Sequence, residues 1–529
     1  MAITKFHRLL LFVFLVSVGL SFVVGQLFYD EMLADQLLPV NPVPNDQHLD
    51  GNKHRPNIVF ILADDLGWND VGWHNKDVKT PNIDKLAKSG VSLTNHYTYA
   101  ICTPSRAAIM TGFYSHRLGL QHRVVEDYQK KHVPLDVPTI ADQLSGAGYA
   151  THLVGKWHLG HCNWNYTPTY RGFDSFFGYR FASEDYYTHK HKGLYDFWED
   201  ELPYHDVSNT YSTDLFSDRA VKIIRDHAVR HGDNTPLYMY LAVQAIHGLI
   251  PESPEKYRVK NNFQWDQRSK AIHAINGIDH LVGHVVDALE SSNLLNNTLI
   301  VFTSDNGADI SCGGNNSPLR GGKFTIWEGG TRVPAMVNGP MIKHPGRTYN
   351  KLFHAVDWFP TLLAAAGVVG NHGNVMHDGI DQWRSLRDGV TSDNPRTQFI
   401  YGIDPGRNAA IRVGDYKLIE GNPVGIVFES NLKKHHTDHA ANCWINQYTP
   451  FPRQQCAYRP SEKMLFNLLV DPTEKTNLAA EKPDMVKMLS DLLEQEKKRA
   501  VPAQSEESFK SVIEPLILID KGIMWPDWC

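Results

Sequence analysis

Cysteine is scarce in this chain, six in 529 residues. A fold of this size with so few cannot rest on a disulfide framework. An excess of one charge is lacking as well: 52 Lys and Arg stand against 58 Asp and Glu, a net charge of -6 spread along the sequence. That balance offers neither a basic face for nucleic acid nor an acidic solvating tail. There is no periodic repeat and no low-complexity tract. Long apolar runs are missing too, apart from residues 9–25, which follow Lys5, His7 and Arg8. Val23 and Gly25 suit the small positions of a signal-peptidase site, so residues 1–25 read as a secretory signal peptide, with an uncleaved anchor as the alternative. Either way the positive flank stays cytosolic and the remainder enters the secretory lumen. No later segment is apolar for long enough to span a bilayer, so no stable membrane span is expected after cleavage.

At this length two domains are the natural expectation. Residues 26–55, spotted with Pro and Asp, form a lead-in; residues 56–395 read as one domain and 396–529 as a smaller one. Cys443 and Cys456 bracket a short segment and are expected to bridge it, whereas Cys162, Cys312 and Cys529 have no assignable partner. Asn165, Asn296 and Asn315 lie in Asn-x-Ser/Thr sequons, which are usable in the lumen that the signal implies.

What is present is a recurring layout. The run 57–63 is continuously apolar and ends in Asp64-Asp65, as expected of a strand buried on both faces of a parallel sheet. Residues 149–154 run into Gly155-Lys156-Trp157-His158, residues 237–243 toward His247, and residues 299–302 into Asp305-Asn306. Thr80-Pro81 opens a helix over 82–88, and Ile272 to Leu289 mark one face of a long amphipathic helix. Strands alternating with helices predict an open α/β sheet, whose ligands sit at the carboxyl ends of its strands. After residue 395 the character changes. Residues 410–413 and 416–419 flank Gly414-Asp415 as a hairpin, 463–469 reads as a strand and 483–498 as a helix, together a small α+β unit with an antiparallel sheet. The run Lys433-Lys434-His435-His436 between these pieces reads as a solvated loop, with contact to an anionic polymer as the alternative.

Asp64, Asp65, Asp305 and Asn306 are hard oxygen donors, suited to Ca²⁺ or Mg²⁺ rather than zinc. Arg106, Lys156, Lys323, His158 and His247 add fixed or available positive charge, and a divalent cation with several cations describes a pocket for a tetrahedral oxyanion ester. Cys102 stands just before Thr103-Pro104, where Thr103 can cap a helix and Pro104 fits its first turn, placing the cysteine at a helix N-terminus.

The stretch Cys102-Thr103-Pro104-Ser105-Arg106, continuing to Gly112, resembles the signature of the sulfatase family. The likeness extends through Ala63-Asp64-Asp65-Leu66-Gly67, Gly155-Lys156-Trp157-His158-Leu159-Gly160 and Ser304-Asp305-Asn306-Gly307. It includes Pro318 to Lys323, Trp327-Glu328-Gly329-Gly330, Asp357 to Leu363, and in the second domain Leu465 to Leu468, Asp471-Pro472 and Asn477-Leu478. Within the family, the block from Gly314 to Gly330 resembles the arylsulfatase B, or N-acetylgalactosamine-4-sulfatase, type. The resemblance implies a large mixed, mostly parallel sheet flanked by helices, alkaline-phosphatase-like, with a C-terminal α+β domain. It implies sulfate-ester hydrolysis after Cys102 is converted to 3-oxoalanine (formylglycine) by the formylglycine-generating enzyme. An aldehyde hydrate has one hydroxyl to attack sulfur and a second to expel sulfate, so no stable sulfated side chain is left.

By the same resemblance Asp64, Asp65, Asp305 and Asn306 hold one Ca²⁺ ion, which the modified Cys102 also contacts. Asp305 is the candidate base, Arg106 and His158 steady the hydrate, and Lys156, His247 and Lys323 bind the sulfate, with His247 and Lys323 protonating the leaving alcohol. One departure is that Gly-Leu-Ile-Pro follows His247, where the family often has Pro two residues after this histidine. The implied substrates are 4-sulfated galactosamine ends of chondroitin or dermatan sulfate (the GalNAc-4-sulfate type), or small aryl and xenobiotic sulfates such as glucosinolates, met by loops such as 182–204, in a lysosomal or secreted protein. The alternatives are a phosphatase or phosphodiesterase of the same superfamily, and an inactive glycoprotein that only binds sulfated ligands.

Overall fold

The computed structural model describes residues 55–207, 209–232, 234–260, 266–368, 377–390, 396–404, 408–424, 463–504, 519–520 and 523–529. The signal peptide, nearly all of the lead-in, the run Lys433 to His436 and the Cys443–Cys456 pair lie outside the described residues. Residues 54–529 form one compact unit.

Its frame is a ten-stranded sheet. Five strands run parallel at its centre, in the order Thr298–Ser304, Asn57–Ala63, Leu237–Ala242, Ala150–Lys156 and Ser175–Tyr179. Short strands close both flanks: Ala335–Asn338 pairs antiparallel with Thr298–Ser304, and Trp198–Glu199 pairs antiparallel with Ser175–Tyr179. The central strand Asn57–Ala63 has no exposed residue. Ile58, Phe60 and Leu62 point into one apolar cluster, while Val59, Ile61 and Ala63 point into another. A strand with both faces buried needs no polar alternation, which is why its sequence is a continuous apolar run.

The second cluster is covered by helices Pro81–Ser89, Ser212–Arg230 and Asp266–Ser291. The first holds helices Cys102–Thr111 and Trp358–Ala365, and also the apolar side of a four-stranded antiparallel sheet. That sheet runs Gln398–Asp404, Asn408–Val413, Tyr416–Gly421, Met464–Asn467. Gly414, at φ 54, makes the tight turn between its middle strands. Helix Pro483–Lys497 covers it, and the small sheet and the large one share one core.

One sequence expectation is corrected and one open pairing is filled. The helix begins at Cys102 itself, with Ile101 as its extended N-cap, and Thr103 does not cap it. Its hydroxyl instead donates to the His158 carbonyl at 3.1 Å and accepts from the Val125 amide at 3.1 Å. Cys162 and Cys529, for which no partner was assignable, are joined by a disulfide that fastens the C-terminal residues beside the loop following Lys156.

Candidate active site

Parallel register brings the polar strand ends together. Ala63 pairs with Ser304 and Leu62 with Ala242, so the chain leaves three adjacent strands at the same level. The Asp305 amide donates to the Ala63 carbonyl at 3.1 Å, and the Asp65 amide to Asp305 Oδ1 at 3.2 Å. Asp65 turns out of its strand at φ 60, a conformation that Asp tolerates better than most residues. Gly155, at φ 105, lets the next strand approach closely: a Cβ there would lie 2.0 Å from the Ala242 carbonyl oxygen. Lys156 follows at that strand's end.

The carboxylate oxygens of Asp64, Asp65 and Asp305 lie within 4.8 Å of one another, all buried. Each acid has a cation against it. Lys156 Nζ is 2.6 Å from Asp64 Oδ2, Lys323 Nζ is 2.7 Å from Asp65 Oδ1, and Arg106 Nη2 is 2.8 Å from Asp305 Oδ2 and 3.3 Å from Asp64 Oδ2. Cys102 Sγ lies 3.8 Å from Asp64 Oδ1, and Asp64, Cys102 and His247 form a second tight group.

The electrostatics are uneven. Burial pushes the Asp64 carboxyl up, but Lys156, His247, Arg106 and Lys323 together outweigh it and hold the group well below the usual range. Burial raises Asp65 to about 7 against the pull of Lys323, with Asp64 and Asp305 adding repulsion. Asp305 is raised by burial and by Asp64. Burial also pushes the Cys102 thiol up to about 12 despite Lys156 and Lys323, so the encoded side chain is a protonated thiol at neutral pH.

His158 is buried, and burial, Lys156 and Arg106 hold it neutral. Its Nε2 lies 2.9 Å from the Val125 carbonyl, which can only accept, so Nε2 carries the proton and Nδ1 is an acceptor. That Nδ1 is buried without a hydrogen-bond partner among the described residues, and so is Asn306 Oδ1. His247, half-buried, has Nδ1 2.7 Å from the Gly248 carbonyl and is likewise held neutral by burial and Lys323. Three facing carboxylates and an unpartnered amide oxygen are a hard-oxygen donor set, and they fit a divalent cation.

The structure therefore gathers Asp64, Asp65, Cys102, Arg106, Lys156, His158, His247, Asp305, Asn306 and Lys323 in one place. Sequence reasoning missed the clamp made by Thr103 and Val125 on His158. It also missed Asp70, buried under Arg268, whose Oδ2 accepts from the amides of Gly67 and Asn315 and so ties together the loops after two site strands. Asn165 and Asn296 are exposed, as glycosylation requires. Asn315 is only 3 % exposed and its Oδ1 accepts from the Ser317 amide, so the folded chain leaves no room for a glycan there.

Residues 56–368 match the sulfatase family model. Mouse arylsulfatase J is 36 % identical over 485 residues, covering 85 % of this chain and 77 % of the relative. Human N-acetylgalactosamine-6-sulfatase is 31 % identical over 368 residues, covering 65 % and 68 %. Among solved structures, Ps i-CgsB in complex with k-i-k-neocarrahexaose superposes with a TM-score of 0.71 at 28 % identity, over 87 % of this chain and 97 % of that one. With its family model spanning more than half of the chain, the protein belongs to the sulfatase family and is a sulfuric ester hydrolase.

Proposed function

We propose that the protein hydrolyses sulfate esters with a formylglycine derived from Cys102 and one Ca²⁺ ion. The observation that carries this reading is a group of three mutually close carboxylates, each paired with a buried cation, with Cys102 Sγ 3.8 Å from Asp64 among them. Asp64, Asp65, Asp305 and Asn306 would hold the ion, which when bound supplies positive charge to orient and polarise a sulfate oxygen. Conversion to the hydrated aldehyde would supply geminal hydroxyls at position 102, a chemistry unavailable to a thiol held near 12.

The chain's own groups divide the remaining work. Asp305, raised by burial, is suited to take a proton from the attacking hydroxyl. Neutral His158 presents Nδ1 as an acceptor beside the helix start, fixed in that tautomer by Val125. Arg106 and Lys323 stay protonated beside Asp305 and Asp65, and together with the Lys156 side chain they stabilise charge on the sulfate oxygens. Lys323 keeps its proton through Asp65 despite burial, whereas His247 is neutral, so Lys323 is the better placed of the two to protonate the leaving alcohol.

The substrate is read as a sulfated sugar of the N-acetylgalactosamine type, with small aryl sulfates and xenobiotic sulfates such as glucosinolates as the alternative. The relatives that are N-acetylgalactosamine-6-sulfatases, and the neighbour solved with a carrahexaose, support the sugar. We place the protein in the secretory pathway, lysosomal or secreted, matured by a formylglycine-generating enzyme. Among the described residues no helix is long and apolar enough to cross a membrane. Residues 56–395 would be the catalytic part and 396–529 the smaller one.

The test is mass spectrometry of the peptide containing Cys102, from protein made in a competent secretory pathway, combined with sulfate release. Conversion with turnover is expected. An unmodified thiol throughout, or faster turnover of a phosphate monoester than of its sulfate twin, would sink the reading.

A further inference from the structure

Two histidines of the loop after strand Ala150–Lys156 hang from one short segment. His158 Nε2 lies 2.9 Å from the Val125 carbonyl, and His161 Nε2 lies 2.8 Å from the Asp127 carbonyl. A carbonyl only accepts, so both rings carry a proton on Nε2. The segment is tied to the helix start as well, because the Val125 amide donates to Thr103 Oγ1 at 3.1 Å. His158 itself stands at φ 61, a backbone region that a non-glycine residue keeps only where its surroundings hold it. Whatever fixes Val125 to Asp127 therefore sets the His158 ring.

The anchor comes from a hairpin elsewhere in the chain. Asp127 is buried; its Oδ1 lies 2.8 Å from His191 Nε2, and its Oδ2 accepts from Lys192 Nζ at 2.9 Å. Burial pushes the Asp127 carboxyl up, but His191 and Lys192 outweigh this and hold the group well below the usual range, so it is charged. Lys190–His191 and Leu194–Tyr195 pair antiparallel, and Lys192 and Gly193 make the turn between them at φ 48 and φ 91. Such a turn needs two left-handed residues, and asparagine or aspartate followed by glycine is its usual filling. Lysine is strained in that conformation. Here its long side chain reaches Asp127 and also lies 3.5 Å from Glu126.

We propose that Asp127 is a positioning residue for sulfate-ester hydrolysis. Anchored by His191 and Lys192, it holds the Val125 carbonyl where His158 keeps its proton on Nε2 and offers Nδ1 as an acceptor to the reacting group at position 102. Asp127 touches neither the substrate nor the reacting atoms and acts through Val125 and His158. The inference rests on the sulfate-ester reading above. It adds that the hairpin at residues 190–195, part of a loop expected to meet the substrate, also governs the geometry of His158.

The test measures kcat and KM for 4-nitrophenyl sulfate, normalised to the fraction of residue 102 that mass spectrometry finds converted, together with the thermal unfolding midpoint. Asp127→Ala should lower kcat by at least about tenfold, the scale of loss when a reacting group is misplaced, with KM within about threefold of the parent. Lys192→Gly separates positioning from stability. Glycine suits the left-handed turn better than lysine, so the midpoint should stay nearly unchanged while kcat falls by about threefold or more. A parent-like kcat in either variant would overturn the proposal, and so would a raised KM with kcat retained. A kcat loss that appears only with a fallen midpoint would also overturn it, since local loosening then explains the loss. If Asp127→Ala does not fold, Lys192→Gly decides. Absence of sulfate release by converted parent protein, from this substrate and from a sulfated N-acetylgalactosamine alike, would instead overturn the sulfate-ester reading, and this inference with it.

Discussion

Two clusters of buried charge occupy this molecule, similar in composition and different in consequence. At the strand ends, Asp64, Asp65 and Asp305 face Arg106, Lys156 and Lys323. At the junction of the two sheets, Glu328 and Glu474 face Lys417 and Arg412. The second cluster is closed. Glu328 Oε1 accepts from Lys417 at 3.0 Å and from the Tyr401 hydroxyl at 2.8 Å, and Oε2 accepts from the Tyr97 hydroxyl at 2.8 Å. Arg412 donates to Tyr97 in turn, Glu474 Oε2 accepts from the Glu328 amide, and Glu474 Oε1 is ion-paired with Lys417 at 2.8 Å without a hydrogen bond of its own among the described residues. Among the described residues the first cluster keeps Asn306 Oδ1 and His158 Nδ1 unpaired, and it packs three acids together. Charge balance alone does not separate a site from a structural lock; three carboxylates within 4.8 Å of one another with the Asn306 amide beside them do.

The contrast can be broken from either side. Cys102→Ala should lower sulfate release by at least about a thousandfold, since it removes the proposed nucleophile, while leaving the thermal unfolding midpoint nearly unchanged. Substantial residual turnover would move the chemistry away from residue 102. Lys417→Met should do the reverse. Removing the one lysine shared by two buried carboxylates costs about 3–5 kcal/mol, read in denaturant unfolding, with turnover per folded molecule retained. A loss of turnover without a loss of stability would mean that the junction cluster belongs to the site.

Much of this was legible in the sequence because local rules govern it. Asn57 to Ala63 reads as a doubly buried strand from its apolar run alone, and parallel strands must deliver their following residues to one edge, so Asp64, Lys156, His247 and Asp305 had to meet. Gly414-Asp415 announced its hairpin. What stayed hidden depends on partners far apart in the chain. Cys162 and Cys529 are separated by 367 residues, and no spacing rule pairs them. The sequon at Asn315 says nothing about burial, which Asp70 imposes from another loop. Thr103 looked like a helix cap because the cap preference is local, but tertiary hydrogen bonds to Val125 and His158 claim its hydroxyl. Glu328, Lys417 and Glu474 come from three separate elements, so only the fold shows that they touch.

The disulfide offers a test of intermediate size. Cys529→Ser frees a tail whose Trp525 packs edge-on against Trp198 and whose Asp527 and Trp528 amides donate to the Cys162 carbonyl. A loss of about 2–4 kcal/mol in denaturant unfolding is expected, smaller than that for Lys417→Met. An effect larger than that of Lys417→Met would put the main fastening of the fold in the tail rather than in the junction.

The smallest effect concerns Glu474 and sharpens the claim that the junction is closed. Burial pushes its carboxyl up to about 7, and Glu328 adds to this while Lys417 opposes it. Glu328 itself is held at about 2 by Lys417, Arg412 and Arg332, which outweigh its burial. One lysine therefore serves the stronger acid, and Glu474 retains its proton near neutrality. In the unfolded chain a glutamate titrates near about 4.3, so between that value and about 7 the folded protein holds a proton that the unfolded chain has released. This contribution to stability is complete below the lower value and is lost as pH rises through the upper one. Glu474→Gln removes the titrating group while keeping an oxygen for Lys417 and for the Glu328 amide. Denaturant unfolding across this range should then show a flatter pH dependence for the variant than for the parent. An unchanged slope would mean that Glu474 is ionised in the fold and that Lys417 neutralises both acids.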